Sequence, residues 1–342
     1  MIDKSSFDIA MMPSARQELA NAYSTLRSAE TKTQIRYLQD NGQLIDGIYY
    51  CRNCPICQTS NGKTELKIKT LGLHYLTCKN CEFTYSYEVL KMEIDRKRYV
   101  DSPATKQHYE IRRAKTYQTL EKRKAQYILQ SLNNLWTSNS SYLLDVGCAT
   151  GILLYEAQKI GWIVAGIEAT QTYFEICKSK GLNITLGFFP EDIPKQKYDV
   201  ITLLDVLEHM PDPLNFLSKT KNYLNPGGML VVQVPNLNSL LVEIEGKENN
   251  NFCYGHWSFF TYKSLNMIME RNGFQLLHNE TIITELDKIL SYNEEKVKSA
   301  FKRLTGIRLN NLDDLNPEEI HKKGMGYKIL GFYKDTSKKS TL

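Results

Sequence analysis

Leu143-Leu144-Asp145-Val146-Gly147-Cys148-Ala149-Thr150-Gly151, with Glu168 seventeen positions beyond its last glycine, is the stretch that decides the fold. An apolar strand runs into a glycine turn and a helix follows. A second strand, Trp162 to Ile167, then ends in a carboxylate. This arrangement opens a nucleotide-binding βαβ unit whose acid is placed to accept from two ribose hydroxyls.

The glycines narrow the nucleotide. A dinucleotide fingerprint needs G-x-G-x-x-G, and counting from Gly147 this chain has Ala149 and Ile152 at the second and third glycine positions. The second glycine lets the backbone approach a pyrophosphate. Its absence points to a ligand without one, and S-adenosylmethionine fits, with Asp145 toward its amino group and Glu168 toward its ribose. Here the sequence resembles the class I S-adenosylmethionine-dependent methyltransferases, in which D-x-G-x-x-x-G opens the cofactor site. Tyr198 to Pro213 resembles that family's fourth strand and following loop, and Asn225 to Pro235 its next turn and fifth strand. The resemblance runs from about Ser141 to Phe274 and resumes near Gly326. It implies an α/β fold with a Rossmann-like seven-stranded sheet closed by an antiparallel hairpin. It also implies a cofactor site at Asp145, Gly147, Cys148, Ala149, Gly151, Glu168, Asp192 and Asp205. Asp192 is either an adenine contact or a helix cap.

A second module precedes this one. Cys54-Pro55-Ile56-Cys57 and Cys78-Lys79-Asn80-Cys81 form C-x2-C-x20-C-x2-C, the spacing of two knuckles that offer four thiolates to a tetrahedral zinc. The intervening Thr64 to Thr77 carries β-type residues around Gly72, as a zinc ribbon does. Cys51 could compete for the first knuckle, but Pro55 suits the Cys54–Cys57 turn. Four sulfur ligands leave no open position, so the expected zinc is structural. Cys148 and Cys177 read as buried apolar residues.

With 342 residues, 42% hydrophobic and 24% charged, the chain is long for one globular domain. It has no signal-like leader and no apolar run of membrane-span length, so a cytoplasmic location without membrane association is expected. Cysteines there are thiols or metal ligands. The net charge of +5 is concentrated, because Lys91 to Gln126 holds eleven Lys or Arg against five Asp or Glu. That run is a solvated helix face or a contact for an acidic substrate.

The expected order is a helical segment at 1–47, starting near Pro13-Ser14, and a ribbon at 48–90. A basic helical connector at 91–136 follows, with Tyr109, Ala114, Tyr117, Leu120, Tyr127, Ile128 and Leu132 on one stripe. The catalytic domain spans 137–336. It opens on the polar loop Thr137 to Ser141 and carries a helical insertion at about 285–323. Leu214, Leu217 and Leu224 are expected on one helix face, with Asn225-Pro226-Gly227 as its stop.

Methyl transfer to a hydroxyl requires a positioned acceptor and a base. Two histidines fall near the sheet rim, His209 and His256, and the loop holding Tyr254, His256 and Trp257 is the one that faces the acceptor in the resembling family. Asp205-Val206-Leu207-Glu208-His209 resembles the quinone-biosynthesis O-methyltransferases, whose acid-x-x-Glu-His can hold a divalent ion. Tyr254-Gly255-His256 resembles the His-Glu-His loop of deoxysugar C-methyltransferases but lacks its first histidine and its glutamate. The expected activity is O-methylation of a small molecule, a sugar nucleotide or secondary metabolite. An RNA methyltransferase gripping phosphates with the ribbon and connector is the alternative. Against it, Lys63, Lys67, Lys69 and Lys79 of the ribbon face Glu65 and Glu82, and no Asn-Pro-Pro-Tyr motif follows the fourth strand. A deoxysugar C-methyltransferase and a non-enzymatic binding protein are further readings. The acceptor atom and the oligomeric state are not legible.

Overall fold

The computed structural model describes residues 2–8, 25, 32, 35–60, 63–100, 103–136 and 141–337. Pro13-Ser14 and 137–140 lie outside them. In chain order the strands are β1 (Tyr49–Cys51), β2 (Thr64–Thr70), β3 (Leu73–Cys78), β4 (Thr84–Ser86), β5 (Glu88–Leu90), β6 (Tyr142–Val146), β7 (Ile163–Glu168), β8 (Ile184–Leu186), β9 (Tyr198–Leu204), β10 (Leu224–Pro235), β11 (Ser258–Phe259), β12 (Phe274–Ile282) and β13 (Lys328–Asp335).

Seven of them form one α/β sheet in the order β12-β13-β10-β9-β6-β7-β8. The β6 to β10 pairings are parallel, while β13 runs antiparallel to both β10 and β12. The central strands are near-continuous apolar runs because helices cover both faces. Leu143, Leu144, Ile201, Leu203 and Leu230 to Val232 are almost wholly buried. Strand order reverses at β6, where β7 and β9 flank it. The crevice beyond the carboxyl ends of β6 and β9 is therefore the fold's natural ligand site.

The cysteine-bearing segment is built on a hairpin. β2 and β3 pair across Leu71-Gly72, both at positive φ (+53° and +77°), which matches the twist of a two-residue turn. β4 pairs with β3, and the fourth strand of this sheet is β11, from far downstream. This sheet is thus completed by a strand that follows the loop carrying His256. Cys54, Ile56, Cys78, Phe83 and Tyr85 share one apolar core with Leu144, Ile167, Ile201 and Val232.

The connector is three helices, Met92–Val100, Pro103–Arg113 and Lys115–Leu135. Leu120, Ile128 and Leu132 are buried against the opposite sheet face, with Tyr117 and Tyr127 alongside. The single stripe breaks at Ala114, which precedes the last helix in extended conformation. The segment 285–323 is helical, with Leu286–Leu290, Glu294–Thr305 and Pro317–Lys322, and it packs on Leu240, Leu241 and Ile244. Among the described residues no helix is long and apolar enough to cross a membrane.

Two local expectations fail. The helix Pro213–Lys221 ends before Leu224, which instead starts β10 by pairing with Tyr198. Asn225-Pro226-Gly227 is not a helix stop but an irregularity inside β10, whose register shifts between Leu224 and Met229. Backbone pairing to the adjacent strand outweighs the turn propensity of Pro-Gly there.

Candidate active site

The glycine turn follows from its backbone angles. Gly147, Ala149 and Gly151 all have positive φ, and a side chain on Gly151 would lie 2.5 Å from Leu182 Cδ1 and 2.8 Å from Cys177 Sγ. Only glycine fits at 151. Ala149 takes φ +46° as an L-residue, and its N–H donates to Glu168 Oε2 at 2.9 Å. Glu168 Oε1 accepts from Thr170 N at 2.9 Å. Two backbone donors therefore orient the Glu168 carboxylate against the turn, and its remaining lone pairs can accept ribose hydroxyls. Cys148 and Cys177 are buried, as their apolar reading requires.

Asp145 is buried at the end of β6, and Thr202 Oγ1 donates to its Oδ1 at 2.6 Å. Burial pushes its carboxyl up to about 7, against the pull of that hydrogen bond. A carboxyl held at this balance gains most from a cationic neighbour. Asp205 stands apart from the other cofactor candidates, because Lys328 Nζ (2.9 Å) and Gln233 Nε2 (2.8 Å) occupy its two oxygens. Asp192 is exposed and accepts from Phe188 N at 2.7 Å, so it closes the turn after β8.

At the next rim the two histidines meet. The His209 and His256 rings pack edge to face with centroids 4.8 Å apart. His209 Nδ1 lies 2.7 Å from Gly255 O, and His256 Nδ1 lies 3.1 Å from Asn251 O. A carbonyl only accepts, so each neutral ring carries its proton on Nδ1 and leaves Nε2 as the basic atom. Burial, aided by Arg98, pushes His209 down to about 4. Burial and the neighbouring His209, Lys328 and Arg98 push His256 well below its ordinary value. Both imidazoles are uncharged at neutral pH. Beside them Glu208 is 2% exposed and both its carboxylate oxygens lack a hydrogen-bond partner among the described residues. Burial, then the Asp205 charge, push Glu208 up to about 8. One ligand atom from each of Glu208, His209 and His256 lies within 4.8 Å of the others.

Tyr254 and Trp257 do not face this site as the loop's resemblance implied. The Tyr254 hydroxyl donates to Leu71 O (2.9 Å) and meets Tyr49, so its ring belongs to the ribbon core. Trp257 is fully buried, and its Nε1 donates to Asp95 Oδ2 at 3.0 Å. Ser86 N donates to Trp257 O at 3.0 Å, so the backbone at Trp257 is held against the end of β4.

The four knuckle cysteines converge, with Cys54 and Cys81 sulfurs 3.5 Å apart, Cys57 and Cys78 likewise, and all four within 4.8 Å. Cys51 is exposed in β1, opposite Glu88, and outside this group. Arg52, Asp95, Arg98, Tyr99, Gln233 and Lys328 also build the site, and sequence reading did not single them out. Arg98 lay within the basic run, where spacing alone does not separate a buried arginine from a solvated one.

A family model described as a methyltransferase domain matches residues 117–279. It takes in the glycine turn, Glu168 and both histidines, and leaves out the cysteine cluster, Arg98 and the helical insertion. Among curated proteins, the chain is 38% identical over 117 residues to a ubiquinone biosynthesis O-methyltransferase of Histophilus somni, covering 31% of this chain and 48% of that protein. It is 34% identical over 136 residues to the protein of that name in Actinobacillus pleuropneumoniae, covering 36% and 57%. The chain thus spans about half the length of the curated relatives it matches. A solved S-adenosylmethionine-dependent methyltransferase from Archaeoglobus fulgidus aligns over 62% of this chain and 94% of its own, with 16% identity and a TM-score of 0.42.

The half-buried neutral histidines carry a pH signature. Below the ordinary histidine value of 6.5 the unfolded chain takes up protons that these folded imidazoles refuse. Their contribution is complete above that value and is lost as the pH falls below it, for His209 down to about 4. His256→Gln should therefore gain stability relative to the wild type between about pH 7.5 and pH 5, read as the difference in urea midpoints. A difference independent of pH would contradict the neutral assignment.

Proposed function

We propose that this chain is a methyltransferase that transfers a methyl group from S-adenosylmethionine to a hydroxyl of a small molecule. The observation that carries this reading is the crevice itself. At the switch point of a parallel sheet, the preoriented Glu168 carboxylate faces the glycine turn, and two neutral imidazoles with free Nε2 atoms stand at the neighbouring strand end. The matching methyltransferase domain and the O-methyltransferase names of the relatives support it. Domain boundaries at 48–90, 91–136 and 137–336 and a cytoplasmic location belong to the same reading, with β11 lent to the ribbon.

The cofactor, when bound, supplies an electrophilic methyl group. Glu168 would hold its ribose, Gly147, Cys148, Ala149 and Gly151 would let it lie against the turn, and Asp145 would meet its amino group. His256 Nε2 would take the proton of the acceptor hydroxyl as its oxygen accepts the methyl group that the cofactor would supply, whose bonding pair would stay on the cofactor's sulfur. His209, packed against His256, keeps that ring in place and is the rival base.

A second reading has its own observation. Glu208 is buried without a hydrogen-bond partner among the described residues and within 4.8 Å of a ring nitrogen of each histidine, and a divalent cation held by Glu208, His209 and His256 would satisfy it. Such an ion would acidify the acceptor hydroxyl in place of a base. The cysteine cluster suits a structural zinc, since four thiolates at this spacing complete its coordination.

S-adenosylmethionine should raise the melting temperature while NAD does not, and Glu168→Ala should sharply reduce the shift. Equal shifts from both ligands would refute the cofactor assignment. His256→Ala should keep that shift and lower turnover by about 10² to 10⁴, the scale of general-base catalysis. If instead chelation abolishes turnover, added Mg²⁺ restores it and His209→Ala is equally inactive, the metal-assisted reading is correct.

Elemental analysis should find about one zinc per chain for a single closed site. Cys78→Ser should lose it and Cys51→Ser should retain it. Zinc retained in the first variant would show the ligand set to be wrong.

A further inference from the structure

The buried polar atoms around the histidine pair divide into those the protein satisfies and those it leaves open. Arg98, on the helix Met92–Val100, donates from Nε to Asp95 Oδ1 at 2.9 Å. Asp95 gives its other oxygen to Trp257 Nε1. The Arg98 guanidinium lies 4.2 Å from the centroid of the Tyr99 ring, which meets His209 edge to face at 5.5 Å. Arg98 Nη2 and the Tyr99 hydroxyl are both buried, and apart from the interaction of these two side chains with each other neither has a hydrogen-bond partner among the described residues. Leaving such a donor unsatisfied costs about 1–3 kcal/mol, and more on a charged group. Two adjacent open donors next to a candidate base are the mark of a ligand position.

Gly255 explains how the guanidinium reaches this place. It has φ +97°, and a Cβ there would collide with the Arg98 head group. The carbonyl of this glycine also holds His209 Nδ1. The guanidinium thus fills the space that a side chain at position 255 would take.

Resting on the O-methyltransferase reading, we propose that Arg98 Nη2 and the Tyr99 hydroxyl bind a carboxylate carried by the acceptor, beside the hydroxyl that is methylated. Two donors and one guanidinium, already shared with Asp95, match a planar monoanion with two oxygens. A phosphate dianion would bring a second charge toward Glu208 and Asp205. The Arg98 contact is a charge-assisted hydrogen bond, so its loss should cost about 10- to 100-fold in kcat/KM.

The test uses the full chain, S-adenosylmethionine tritiated in its methyl group, and an aqueous small-metabolite extract. Labelled products are passed over an anion exchanger at about pH 7 and then eluted at about pH 2, where carboxylates are protonated and phosphates still carry charge. The expected product is retained at the first pH and released at the second. Label in the flow-through, or label still held at low pH, overturns the proposal. Label in no fraction, with cofactor binding intact, overturns the underlying methyltransferase reading and the proposal with it. With the retained product's precursor as substrate, Tyr99→Phe should leave the melting temperature and the cofactor-induced shift unchanged and raise KM about 2- to 10-fold, as for one neutral hydrogen bond. Arg98→Lys keeps the charge but loses the fork, and should raise KM further. Unchanged KM in both folded variants would also overturn the assignment.

Discussion

The guanidinium of Arg52 is the contact on which the histidine-bearing side of the crevice depends. It donates to three main-chain carbonyls, Ser86 in the ribbon sheet, Pro211 after the histidine-bearing turn, and Trp257 in the acceptor loop. Burial pushes it down only to about 10, so it stays charged at neutral pH. A buried cation is costly unless its donors are met, and three carbonyl dipoles meet them here. Arg52 stands two residues before Cys54. The fold of the first knuckle therefore sets where this cation lies, and the cation ties together the two loops that carry His209 and His256. β11 reinforces the tie by pairing with β4, and Trp257 N donates to Glu208 O at 2.8 Å.

This arrangement gives the ribbon a role beyond stability. Its core is continuous with the sheet, so the ribbon is a wall of the histidine-bearing side of the crevice rather than an appended module. The connector helix adds Asp95, Arg98 and Tyr99 to the same wall. The imidazoles are neutral because that wall excludes water and supplies a cation. The same dryness leaves Glu208 without a partner, so its protonation or pairing is the electrostatic variable of the site.

The glycine-turn half of the crevice was legible in the sequence because its geometry is local. Asp145, Gly147, Gly151 and Glu168 lie within one βαβ unit, where turn geometry dictates residue type. The knuckle cysteines were legible for the same reason. The acceptor half was legible only in part. His209 and His256 could be placed at the rim because each follows a sheet strand. Their contact, and their shared preference for Nε2 as the basic atom, depend on carbonyls 46 and five residues away. Tyr254 and Trp257 misled because the loop resembled an acceptor loop, while the Tyr254 hydroxyl bonds to Leu71 O and the Trp257 indole to Asp95. Leu224 and Asn225-Pro226-Gly227 misled because pairing to Tyr198 outweighed local turn propensity. Arg98 was hidden within a basic run, and only tertiary packing against Gly255 distinguishes it from its solvated neighbours.

The central claim is that the ribbon holds the acceptor loop while the cofactor turn stands independently. Hydrogen–deuterium exchange in the wild type and in Arg52→Met tests it directly. The account predicts that the variant loses protection at 254–260 and around Glu208 while the amides of Gly147 and Cys148 exchange as before. Unchanged protection at 254–260, or equal loss at both ends of the crevice, would contradict it.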